Sequence, residues 1–200
     1  MDKPLIYKKY PVCFSSHRPV DALLEMVRTH GLRAQEVASI DVRVRGTQAR
    51  VLRFDRPRTA LEAKFSIQFP VACALLRGRV SLADLEDCFV QSAPVQALFE
   101  RIRFTALPAA AEGQPPAADR AIVTLVDGRV LDSGPLEQAM PHTGLAEKFL
   151  DCCRAGGLAD GRALFTALDT LPTLDDLRTL VTLAGRGHHG EAPTETLLAA

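Results

Sequence analysis

Lysine is scarce in this chain. Only Lys3, Lys8, Lys9, Lys64 and Lys148 carry it, and arginine supplies the rest of the basic residues. Net charge is missing too: 24 Lys+Arg meet 24 Asp+Glu. No overall field therefore favours nucleic acid or an anionic membrane. The five cysteines, Cys13, Cys73, Cys88, Cys152 and Cys153, are odd in number and fit no zinc or iron–sulfur spacing. No apolar run is long enough to cross a bilayer, and no signal peptide opens the sequence. There is no Gly-rich phosphate loop and no nucleophile elbow. These absences point to a reduced, cytoplasmic protein, without metal or cofactor and without nucleic-acid or membrane partners.

What is present is enough apolar material, 47% of 200 residues, to bury a sizeable core. Residues 1–15 read as extended. Ser15 or Ser16 can cap a helix whose apolar spacing runs through Val20, Leu23, Leu24 and Val27 to a stop at Gly31. Glu36 to Arg45 alternates as a half-buried strand, and Ala49 to Phe54 is a shorter strand candidate. Thr59 can cap a short turn. Ser66 opens a helix that is apolar nearly all round and therefore central, ended by Gly78. Ser81 caps a helix over Leu82 to Val90. Pro94 opens another, with Val95, Leu98, Phe99 and Ile102 on one face.

Pro108 to Ala118 is a Pro/Ala-rich loop. Ala121 to Val126 and Arg129 to Leu131 are strands joined at Asp127-Gly128. Beyond Gly134 the pattern is helical only, with helices marked by Leu145/Phe149/Cys152/Cys153, by Leu164/Phe165/Leu168 and by Leu174/Leu177/Leu180/Leu183. A polar tail carries His188-His189. The fold class is α+β, over residues 1–133, followed by a helical segment over 134–200.

Two short clusters could carry chemistry. KKYPVCFSSH, Lys8 to His17, joins a point cation to a thiol and an imidazole at a helix start, where free N–H groups and the dipole favour an anion. That set suits a small polycarboxylate, but the same residues also suit a solvated leader with a helix cap. EAKFSIQF, Glu62 to Phe69, places a lysine and a serine at the start of the buried helix. It too can be read as no more than a capped core helix with a snorkelling lysine. His142, and the adjacent Cys152 and Cys153, read as loop and packing residues.

In this order, the two clusters resemble the MmgE/PrpD family. The matching pieces are Lys8-Lys9-Tyr10-Pro11-Val12-Cys13, His17, Asp21-Ala22, Glu62 to Ser66, the Gly78 to Val80 step, Asp127-Gly128-Arg129 and Glu147-Lys148-Phe149. The resemblance implies the C-terminal part of a cofactor-independent lyase, a hydro-lyase, decarboxylase or epimerase of the 2-methylcitrate dehydratase type. Its substrate would be a small polycarboxylic acid. It further implies a small α/β-sandwich domain and returning helices, with the family's N-terminal helical domain absent. On that basis a separately encoded helical chain would complete the site, and the protein would form a homodimer.

Carried over residue by residue, the resemblance makes Lys8, Cys13 and His17 the catalytic candidates. Lys8, Ser66 and Phe69 become the substrate-binding ones. Phe69 stands where many members have a tyrosine, which removes a hydroxyl. The alternative it leaves is a non-catalytic paralogue serving as a binding or dimerisation module.

Overall fold

The computed structural model describes residues 7–108, 117–136 and 144–185. Leu5, Ile6, His142, His188-His189 and most of the Pro/Ala-rich loop lie outside the described residues. The chain divides into two compact units, Met1–Thr143 and Gly144–Ala200.

In the first unit, a 3-10 turn at Phe14–Ser16 leads into α1, His17–His30. Pro19 sits in its first turn, where its missing N–H leaves no helical hydrogen bond unmade. Gly31, at φ 62°, ends it in the left-handed conformation that other residues adopt with strain. Then follow β1 (Val37–Arg45), α2 (Gly46–Ala49), α3 (Ala60–Ala63), α4 (Gln68–Arg77), α5 (Asp87–Val90), α6 (Ala93–Phe99), β2 (Ile102–Leu107), β3 (Arg120–Leu125) and β4 (Val130–Asp132). The class is α+β, built on a four-stranded mixed sheet in the order β2-β1-β3-β4. β2 pairs parallel to β1, and β3 and β4 continue antiparallel on the other side.

The register explains the core. Ile40 faces Ile102 on one side and Val123 on the other, and Val42 faces Phe104 and Ala121. Because side chains alternate along a strand, these residues share one face. That face joins one core with Val20 and Leu23 of α1, Phe69, Val71, Ala72 and Leu75 of α4, and Leu98 of α6. Asp41, Arg43 and Arg45 alternate onto the opposite face. α4 is buried along Gln68–Leu75, the central position its all-round apolar pattern requires.

Three expected elements differ. The Ala49 to Phe54 strand does not form. α2 and a turn occupy its start, and the backbone N–H groups of Arg53 and Phe54 donate instead to the Phe65 carbonyl (2.9 and 3.3 Å). The single helix over Leu82 to Val90 is split. Ser81 and Asp84 form a capping box around a 3-10 turn, Leu82–Asp84, and α5 starts only at Asp87. Ile102 is not on the face of a helix. α6 ends at Phe99, and Ile102 opens β2, whose pairing partner β1 lies more than sixty residues earlier in the chain.

The second unit is helical: α7 (Leu145–Ala155), α8 (Gly161–Asp169), a 3-10 turn at Leu171–Thr173, and α9 (Arg178–Gly185). Leu174 and Leu177 therefore precede the third helix rather than belonging to it. Among the described residues, no helix is long and apolar enough to cross a membrane.

Candidate functional site

The two sequence clusters meet. The backbone N–H of Cys13 donates to the Lys64 carbonyl at 2.8 Å, joining the segment before α1 to the segment before α4. The N-terminal ends of these two helices thus lie on one side of the domain. Each is fixed by a serine. Ser16 is the N-cap residue of α1, but its hydroxyl turns back to donate to the Cys13 carbonyl at 2.7 Å. Ser66 is fully buried, accepts from the Phe69 backbone N–H at 3.2 Å, and makes a 3.2 Å hydroxyl bond to the Gln68 amide oxygen.

The structure separates the two lysines that the sequence could not tell apart. Lys9 is committed: its Nζ lies 2.5 Å from Asp21 Oδ1, which also accepts from the Tyr10 hydroxyl at 2.6 Å. Lys8 is exposed and has no ion pair among the described residues. Cys13, half-buried, follows on the same segment.

His17 is fully enclosed, with the Tyr10 ring 5.2 Å away edge-on and the Phe14 ring at 5.1 Å. Its Nε2 lies 3.4 Å from the Val12 carbonyl, and its Nδ1 has no hydrogen-bond partner among the described residues. Burial drives its pKa down to about 4, and the nearby Lys8 charge adds to the fall. At neutral pH it is an uncharged imidazole holding the Val12 backbone.

The substrate-side candidates divide in the same way. Ser66 and Phe69 lie inside the protein, Phe69 edge-on to Phe89 with ring centroids 6.3 Å apart. Only Lys8 and Cys13 reach solvent among the five proposed residues.

Sequence reasoning missed the strongest electrostatic feature. Fully buried Asp119 accepts from Arg18 Nε (2.8 Å) and an Arg18 terminal nitrogen (2.6 Å), and from the Arg45 backbone N–H (3.0 Å) and Nε (3.3 Å). One signal was available: Arg18 is a cation in the first turn of a helix, where the dipole opposes it, so it calls for an anion. The anion itself is 101 residues away in the chain. Elsewhere, a depression of about 360 Å³ runs along β1 and β2, lined among others by Ser39, Asp41, Glu100 and Arg103, and none of the five candidates borders it. No cluster of three His, Cys, Asp or Glu side chains among the described residues could hold a metal ion.

A mixed sheet covered by helices, with an uncommitted lysine and a half-buried thiol on the segment that leads into α1, defines an α+β domain. The chain belongs to the MmgE/PrpD family: the model of the MmgE/PrpD C-terminal domain matches residues 10–163. It is similar to a 2-methylcitrate dehydratase of Cupriavidus necator, 30% identical over 151 residues, covering 71% of this chain and 31% of that relative. The chain thus spans about a third of the length of the curated relative it matches.

Proposed function

We propose that this domain is the C-terminal part of a cofactor-independent lyase acting on a small polycarboxylic acid, as the name of its Cupriavidus necator relative suggests. One observation carries the reading. Of the two lysines on the Lys8 to His17 segment, Lys9 is neutralised by Asp21, and Lys8 is left as an uncommitted cation beside Cys13. A point charge held there by an ordered segment suits a substrate carboxylate.

In the reaction, a base removes a proton from the carbon next to a carboxylate. The departing hydroxyl takes up a proton and leaves as water, giving the alkene. Lys8 lowers the energy of the negative charge that develops on the carboxylate side. Cys13 is the acid–base group this chain offers at the surface. Enclosed His17 serves by holding Val12 and so the segment between Lys8 and Cys13. The remaining acid–base groups come from a separate helical chain, and within that assembly this chain pairs with a second copy of itself.

Two experiments test this. Citrate should bind the chain in calorimetry, and Lys8→Ala should weaken that binding by about tenfold. Co-expression with a chain corresponding to the remaining part of the relative should give turnover of 2-methylcitrate. No citrate binding, and no turnover in any assembled complex, would overturn the proposal.

A second reading is a binding or dimerisation module without catalysis. It is favoured by Phe69, whose ring is sealed in the core and brings no hydroxyl to the site. On this reading citrate binds and stays unconverted, and Phe69→Tyr restores nothing.

A further inference from the structure

Apolar and basic side chains alternate on the surface beside the candidate site. Val51 and Phe54 follow α2, and Leu61 and Phe65 lie one helical turn apart at α3; all four are exposed, Leu61 to 66%. The backbone bonds from Arg53 and Phe54 to the Phe65 carbonyl hold these stretches together, and the Cys13–Lys64 bond joins them to the site. Monomeric proteins seldom leave large apolar side chains clustered in this way without a partner.

The charges around the cluster differ in how they are used: Glu100 pairs with Arg56, and the Asp87 carboxylate accepts from the Ala60 N–H at 2.6 Å, while most of the cations are left without a partner among the described residues. Residues 50–65 carry five basic side chains against two acidic ones, in a chain whose totals balance. Arg50, Arg53, Arg58 and Lys64 are exposed and make no side-chain ion pair among the described residues.

We propose that Val51, Phe54, Leu61 and Phe65, interleaved along the chain with exposed Arg50, Arg53, Arg58 and Lys64, form the docking surface for an acidic, amphipathic helix of a separate protein chain. Its place beside the site rests on the reading that a second chain completes that site. The chemistry of the occupant follows from the surface itself. Unpaired guanidinium groups call for carboxylates, and the apolar side chains between them call for an aliphatic stripe. Phe54 and Phe65 could each stack a base, but Val51 and Leu61 suit only an aliphatic partner, so a helix stripe rather than a single-stranded nucleic acid matches all four.

The test uses the full chain and two fluorescent helical peptides of about 18 residues, five turns long. They share one leucine stripe, and their polar positions are all glutamate in one and all lysine in the other. The acidic peptide should bind about tenfold more tightly, and added salt should shrink that gap. Arg53→Glu with Arg58→Glu should remove the preference. Leu61→Ser with Phe65→Ser should weaken the acidic peptide by about tenfold while leaving thermal melting near that of the parent. Equal affinity for the two peptides, charge variants without effect, or tighter binding of oligothymidine or phosphatidylserine vesicles than of the acidic peptide would overturn the proposal. Citrate binding, measured on the same samples, separates the two readings. Peptide binding without citrate binding sinks the polycarboxylate site alone. Citrate binding without peptide selectivity sinks the docking surface alone.

Discussion

The two units bury their apolar residues very differently. Among the described residues, the first sinks Phe69, Leu23, Ile40, Ile67 and nine valines almost completely. Among its described residues the second reaches burial only at Cys153, Gly161, Leu164 and Ala167, while Leu177 is 63% and Val181 73% exposed. Both are rich in helices with apolar stripes, so helical pattern does not make the difference. The sheet does. β1 takes a neighbour on each side, and its apolar face gives α1, α4 and α6 a common surface to cover. The three short helices described in the second unit, none longer than 11 residues, have no such platform among themselves. At that length, propensity and local contacts alone leave a helix marginal.

The largest expected effect is at the buried ion network of the first unit. Asp119→Ala leaves Arg18 and Arg45 facing a buried site without their anion, and should cost about 3–5 kcal/mol. Urea denaturation followed by circular dichroism measures it. A loss below about 1 kcal/mol would mean that the network adds little, and would narrow the contrast between the units.

Acid should act on the first unit next most strongly. His17 titrates at about 4 in the fold against about 6.5 in the unfolded chain. Between those values the unfolded state binds the proton and the native state does not, so stability falls as pH drops from about 6.5 to about 4 and is unchanged by this group above 6.5. The full loss is about 3 kcal/mol. Residues 144–185, the described part of the second unit, contain no histidine, so helices α7 to α9 carry no such titration. His17→Phe should flatten the slope in pH-dependent denaturation; a slope that survives the change would place the acid sensitivity elsewhere.

What the sequence made legible follows the range of the interactions involved. α1, α4, β1 and the Asp127-Gly128 hairpin depend on periodicity, caps and turn residues a few positions apart, and all were readable. β2 was not. IRFTAL is a strand because β1 lies alongside it, and the preceding helical spacing of Val95, Leu98 and Phe99 drew Ile102 into the wrong element. The candidate site divides along the same line. That Lys8 to His17 and Glu62 to Phe69 belong together was legible through the family resemblance, and the Cys13–Lys64 bond realises it. Which lysine is free was not legible, because Asp21 could pair with either until the turn through Tyr10 and Pro11 put Lys9 on it. Nor was the enclosure of His17, which needs two aromatic rings brought over it by the chain's path.

A smaller effect should isolate the second unit. Gly161 opens α8 against α7, and a Cβ there would stand 2.7 Å from Cys153 Cβ and 3.0 Å from its Sγ. Gly161→Ala should therefore push the two helices apart and weaken this unit by about 1–3 kcal/mol. Amide exchange should quicken in α7 and α8 while β1 and β3 keep their protection. Equal loosening of the sheet would mean that the units do not open separately.

The smallest effect on stability should come from Asp21→Asn, and it bears most directly on the site. Asp21 and Lys9 are both partly exposed, 32% and 28%, so their pair is worth at most about 1 kcal/mol. The Tyr10 hydroxyl keeps an acceptor in the amide oxygen, and the turn before Cys13 should survive. What changes is charge: Lys9 becomes a second uncommitted cation next to Lys8. If Lys8 is the carboxylate anchor, citrate should bind about as well or up to several-fold more tightly in Asp21→Asn, and adding Lys8→Ala should then weaken binding by much less than the roughly tenfold loss in the parent, because Lys9 stands in. Calorimetry of the single and double variants decides this. If citrate binding is lost on Asp21→Asn while the melting curve holds, the carboxylate's role would be to aim the segment rather than to silence Lys9, and the distinction drawn between the two lysines would fall.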